Sequence, residues 1–98
     1  MAEQKKILVA EAERHIARLV QVNLKRAGYE VVTAFTGQEA LDKAEWEKPD
    51  LIVLGTTAPP LDGLEVTKRL RANEATKDIR VVMLTGKGQD ADPGDLLR

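Results

Sequence analysis

Four short apolar runs, each followed by a stretch of mixed polarity, constrain this chain more than any other feature. They are ILVA (Ile7 to Ala10), YEVVTAF (Tyr29 to Phe35), DLIVL (Asp50 to Leu54) and IRVVMLT (Ile79 to Thr85). Runs this short are the length of strands, and the second is rich in β-branched and aromatic residues. DLIVL shows no alternation, as expected of a central parallel strand buried on both faces, so it is placed innermost.

The intervening segments read as helices. In EAERHIARLVQVNLKRAG, Ile16, Leu19, Val20, Leu24 and Ala27 fall at helical spacing, and Gly28 stands where a left-handed cap would close the helix. Thr36 and Glu39 have the spacing of a capping box, which starts a helix that runs to about Glu47 and is ended by Pro49. LDGLEVTKRLRANEAT carries a shorter helix with Val66 and Leu70 on one face. Strands alternating with helices at this spacing pair in parallel through right-handed crossovers, which predicts an α/β, doubly wound parallel sheet covered on both faces. At 98 residues, without repeat or linker, residues 1–98 form one domain.

Composition narrows the chemistry. A net charge of -1 gives no electrostatic case for nucleic acid or an anionic membrane. The chain has no cysteine and one histidine, which excludes disulfides, thiolate metal sites and histidine-rich ones. Its first apolar run is too short for a signal peptide or a membrane span, so the chain is expected in the cytoplasm.

In sheets of this class the ligand crevice lies beyond the carboxyl ends of the strands where strand order reverses. For the order 2-1-3-4 that places Glu11 and Ala12, then Gly55, Thr56 and Thr57, then Thr85 and Gly86, around one crevice. Taken as isolated residues, each has a structural explanation. Gly55 serves a bend at the strand end, Glu11 is a carboxylate favoured at a helix N-terminus, Asp62 is a turn and cap residue, and Thr85 is a strand-end threonine. His15 reads as a solvated surface residue and Trp46 as a partly buried helix end. Thr56, Thr57 and TGKG offer backbone N–H groups to a phosphate, but not at the spacing of a P-loop.

Taken together, KKILVAEAERHIARLVQVNLKRAGYEVVTAFTGQEALDKAEWEKPDLIVLGTTAPPLDGLEVTKRLR and VVMLTGKG resemble the receiver domain of bacterial two-component response regulators. The resemblance covers roughly residues 5–88, leaves 89–98 as a divergent tail, and implies a flavodoxin-like receiver fold. In that family an acidic pair after the first strand binds Mg²⁺, and an aspartate ending the third strand accepts a phosphoryl group. A Thr or Ser ends the fourth strand and a Lys ends the fifth.

Carried onto this chain, the acidic pair falls on Glu11 and Ala12, and the phosphoacceptor on Gly55. Ala58 stands before Pro59 where the family usually has Met, Asp62 and Gly63 match, and Thr85 fits the switch hydroxyl. Lys87 is not the family lysine. The resemblance thus leaves Glu11, Ala12 and Asp62 as a vestigial acidic pocket and Thr85 as a vestigial switch. Mg²⁺ demands near-octahedral oxygen ligation, and two oxygen donors are missing, so no metal or cofactor is expected and Glu11 is at most a weak ligand. Losing the acid cluster removes repulsion of about 4 kcal/mol per close like-charge pair at a surface-like dielectric.

The expected function is that of a phosphorylation-incompetent receiver-like domain, not an enzyme, acting through a protein partner or through itself. The fold is expected to lack the usual fifth strand and final helices, which would leave the fourth strand as an open apolar edge and favour a homodimer across it. Nucleic acid and membrane are not expected partners. Two other readings stay open: an engineered or truncated response-regulator fragment without activity, and a flavodoxin-like phosphate or nucleotide binding domain. Phosphorylation elsewhere, for instance on Asp62, is a more remote one.

Overall fold

The strand β1 (Lys6–Ala10) sits between β2 (Glu30–Ala34) and β3 (Leu51–Leu54), and β4 (Arg80–Met83) pairs with the far side of β3. The computed structural model from which this is read describes residues 4–56 and 61–84. All three pairings are parallel, with Ala10 opposite both Ala34 and Leu54, and Leu54 opposite Met83. The order is therefore β2-β1-β3-β4. Both β1 and β3 are interior, which is why ILVA and LIVL read as unbroken apolar runs.

Alternate residues of those runs feed two cores. Leu8, Ala10, Ile52 and Leu54 face α2 (Gly37–Glu47) and α3 (Gly63–Ala72), where Ala40, Ala44, Val66 and Leu70 meet them. Ile7, Val9 and Val53 face the opposite way, toward Val20 and Leu24 of α1 (Arg14–Arg26). None of these helices is long and apolar enough to cross a membrane.

The apolar stripe on α1 is narrower than its spacing suggests. Ala17 is its buried residue, with Val20 and Leu24 packed beside it, while Ile16 (43 % exposed), Leu19 (64 %) and Ala27 lie outside. A small alanine lets the helix sit close on β1 and β2, and a close helix on a flat sheet touches through one narrow arc. Gly28 follows the cap residue Ala27 with φ +101°, a conformation that glycine alone adopts without steric cost.

α2 begins as the Thr36–Glu39 spacing predicts, with one difference. Thr36 Oγ1 accepts from Glu39 N at 3.0 Å, but the Glu39 carboxylate reaches past the cap to accept from Phe35 N at 2.7 Å. That backbone donor, with Lys43 beside it, holds the Glu39 pKa below its ordinary value. The helix stops at Glu47 because Pro49 disfavours a helical residue before it, and Lys48 turns left-handed at φ 48°.

Trp46 is 86 % exposed, not a partly buried helix end. The reason is helical geometry: α2 packs through Gly37, Ala40 and Ala44, and two positions beyond Ala44 is roughly 200° around the axis. His15 is fully solvated, with its side chain 99 % exposed.

Candidate functional site

The strand order reverses between β1 and β3, and the carboxyl ends of these two strands are joined by direct backbone bonds. Gly55 N donates to Ala10 O at 2.7 Å, and Ala12 N donates to Thr56 O at 2.7 Å. Glu11 lies between these two links with only 3 % of its surface exposed. Its backbone N–H goes to Ala34 O at 2.9 Å, which ties the same point to the end of β2.

A buried carboxylate is costly unless its oxygens are satisfied, and here both are. Oε1 accepts from Thr56 N at 2.9 Å and Oε2 accepts from Glu13 N at 2.8 Å. The first bond crosses to the β3 end, and the second reaches the N-cap of α1. Glu11 is therefore a bridge between the loop after β1 and the loop after β3, as well as the helix-start carboxylate its position suggests.

The bridge occupies a definite space. A Cβ built on Gly55 would fall on Glu11 Oε1 and would lie 3.1 Å from Glu11 Cδ. The backbone of Gly55 is not in the left-handed region, so no φ requirement explains the glycine. A side chain at 55 would have to displace the Glu11 carboxylate from its hydrogen bond with Thr56 N.

The other candidate residues are placed differently. Ala12 is half-buried and its methyl group offers no donor or acceptor. Asp62 is exposed and caps α3, accepting from Glu65 N at 2.9 Å, which fits the turn-and-cap reading of LDGLEV. Thr57, Ala58, Pro59, Thr85, Gly86 and Lys87 lie outside the described residues.

These residues do not fit a hexacoordinate Mg²⁺. Both oxygens of Glu11 face backbone N–H donors, Ala12 and Gly55 carry no side-chain ligand atom, and the Asp62 carboxylate is engaged at its helix. Among the described residues no group of three acidic or histidine side chains could hold a metal ion.

The model of the response regulator receiver domain matches residues 7–98. The chain belongs to that family. The receiver is 52 % identical over 88 residues to the alkaline phosphatase synthesis transcriptional regulatory protein PhoP of Bacillus subtilis, covering 90 % of this chain and 36 % of that protein. It is 42 % identical over 87 residues to the DNA-binding dual master transcriptional regulator RpaA of Synechocystis, covering 89 % and 36 %. The receiver thus spans little more than a third of the length of these relatives.

Among solved structures it is similar to the chemotaxis protein CheY4 of Vibrio cholerae, with a TM-score of 0.80 and 32 % identity over 95 % of this chain and 75 % of that one. It is also similar to the response regulator TrrA of Thermotoga maritima, solved with Mg²⁺ and BeF, with a TM-score of 0.77 and 34 % identity over 90 % and 76 %. The flavodoxin-like receiver fold with order 2-1-3-4 is therefore that of this chain.

The sequence places Glu11 and Gly55 at one crevice, Glu11 as the carboxylate that remains of the acidic pair and Gly55 as the lost acceptor, without relating the volume of one to that of the other. Their complementarity was the missed signal. Glutamate adds a methylene at one strand end, glycine deletes a side chain at the neighbouring one, and Ala10 pairs with Leu54 immediately before them.

Proposed function

We propose that this receiver serves two-component signalling through protein contacts and takes no phosphoryl group at its strand-end site. The observation carrying this reading is the Glu11 carboxylate, which fills the side-chain space of Gly55 and is held on Thr56 N and Glu13 N. Residue 55 offers no oxygen nucleophile, and the neighbouring residues supply no Mg²⁺ set to neutralise a transferring phosphoryl group. Likeness to longer transcriptional regulators supports an output exerted on a partner domain rather than on a small-molecule substrate.

Incubating the chain with Mg²⁺ and acetyl phosphate and reading intact mass tests the proposal. An unchanged mass is expected. A phosphoryl adduct on any residue at the carboxyl ends of β1 or β3 overturns it.

Self-association is the second part of the reading. Among the described residues β4 pairs with β3 alone, so the backbone groups along its other edge have no strand partner there, and Arg80 and Met83 at its ends are exposed. An unpaired apolar edge favours addition of a strand from a second copy. Sedimentation across a range of concentrations tests this: a dimer is expected, and a monomer throughout would refute it.

A further inference from the structure

A concave site with a different lining lies between α1 and the end of β2. It is a cavity of about 260 Å³ lined by Arg14, Ala17, Arg18 and Gln21 of α1 and by Thr33 and Phe35 at the end of β2. The Arg14 guanidinium sits over the Phe35 ring, 4.1 Å from its centroid. Arg14 and Arg18 are one helical turn apart, and like charges at that spacing repel.

Nothing on α1 offsets the repulsion. The helix carries Arg14, Arg18, Lys25 and Arg26 and no acidic residue from 14 to 26. Neither Arg14 nor Arg18 has a carboxylate within ion-pair distance among the described residues. Glu39 is close enough for its charge to interact with Arg14, but its oxygens are engaged by Phe35 N at 2.7 Å and by Lys43 Nζ at 3.4 Å. Two arginines without an ion-pair partner among the described residues therefore border one hollow, whose wall also includes Phe35 and Ala17.

We propose that this cavity binds a phosphate group, either inorganic phosphate or a small phosphate monoester. Two cations call for a dianion. A carboxylate has one negative charge and two oxygens, enough for one fork, whereas phosphate presents three oxygens to both. The volume is below that of a drug-sized pocket and admits a phosphate with a small organic body. The Gln21 amide and Thr33 hydroxyl are the further polar groups at its wall. This reversible site is independent of covalent phosphorylation at the strand ends.

The test is a two-dimensional NMR titration of the 98-residue chain with inorganic phosphate, glycerol 3-phosphate and acetate at constant ionic strength. Saturable shifts of the Arg14, Arg18 and Phe35 amides with phosphate or glycerol 3-phosphate, and none with acetate, are expected. The tighter of the two ligands identifies the source of the phosphate group. Arg18→Ala, which removes an exposed side chain without an ion-pair partner among the described residues, should weaken binding about tenfold or more, since a charge-assisted contact is lost. Lys25→Ala, at the far end of α1, should leave it unchanged. Absence of saturation, equal binding of acetate, or equal losses in the Arg18 and Lys25 variants would overturn the site.

Discussion

The carboxylate of Glu11 stands in the space that a side chain on Gly55 would need, and a 2.9 Å hydrogen bond from Thr56 N holds it there. The two residues are a matched pair across the ends of β1 and β3. That relationship turns a crevice open to ligands in this class of fold into a self-satisfied contact between two loops.

A double-mutant cycle measures the pairing. Gly55→Ala alone should cost about 1–3 kcal/mol, because its Cβ displaces Glu11 and leaves Thr56 N without its acceptor. Glu11→Ala alone should cost a similar amount, by stranding the donors of Thr56 and Glu13. In the Glu11→Ala background Gly55→Ala should cost little, giving a coupling of about 1 kcal/mol or more in denaturant unfolding. Additive losses would mean that the two residues do not compete for one space.

Gly37 is a second place where close neighbours leave no room for a side chain. Alanine is the better helix former by about 1 kcal/mol, yet a Cβ there would lie 2.6 Å from both Leu61 Cβ and Leu61 O and 3.0 Å from Val66 Cγ2. Gly37→Ala should therefore lower stability by about 1–3 kcal/mol. Thermal melts followed by circular dichroism would show the loss.

Thr76 is buried in the turn after α3, and its hydroxyl donates to Leu70 O at 2.7 Å. That carbonyl belongs to the last turn of the helix, where intrahelical donors run out. Thr76→Val keeps the shape and removes the donor, so unfolding should become easier by about 1–2 kcal/mol.

The start of α2 gives a pH signature. The Glu39 pKa is lowered from its ordinary 4.5, first by the bond from Phe35 N. A depressed carboxylate stabilises the fold at pH values above its unfolded pKa, and that contribution is lost as pH falls from about 4.5 through the folded value. Glu39→Gln should flatten the acid side of the stability profile relative to the parent chain. Thr36→Ala, which removes the cap at Glu39 N, should cost about 1 kcal/mol at all pH values.

How much of this could be read in the sequence follows from which signals are local. The capping spacing of Thr36 and Glu39, the strand runs around Leu8 and Ile52, and the Val66–Leu70 face are properties of neighbouring residues, and each appears as expected except that Glu39 reaches Phe35 N beyond the cap. The outward positions of Ile16, Leu19 and Trp46 depend on how closely Ala17, Ala40 and Ala44 bring their helices to the sheet, which spacing alone does not encode. At the site, Glu11 and Gly55 are 44 positions apart, and their exchange of volume becomes visible once the register pairs Ala10 with Leu54.

The most direct measurement is intact mass after Mg²⁺ and acetyl phosphate treatment of three chains: the parent, Gly55→Asp, and the triple variant Glu11→Asp, Ala12→Asp, Gly55→Asp. Glu11 filling the space of residue 55 predicts no adduct on the parent, little on Gly55→Asp, and a phosphoryl adduct on the triple variant. Labelling of the parent, or labelling of Gly55→Asp as complete as that of the triple variant, would contradict it.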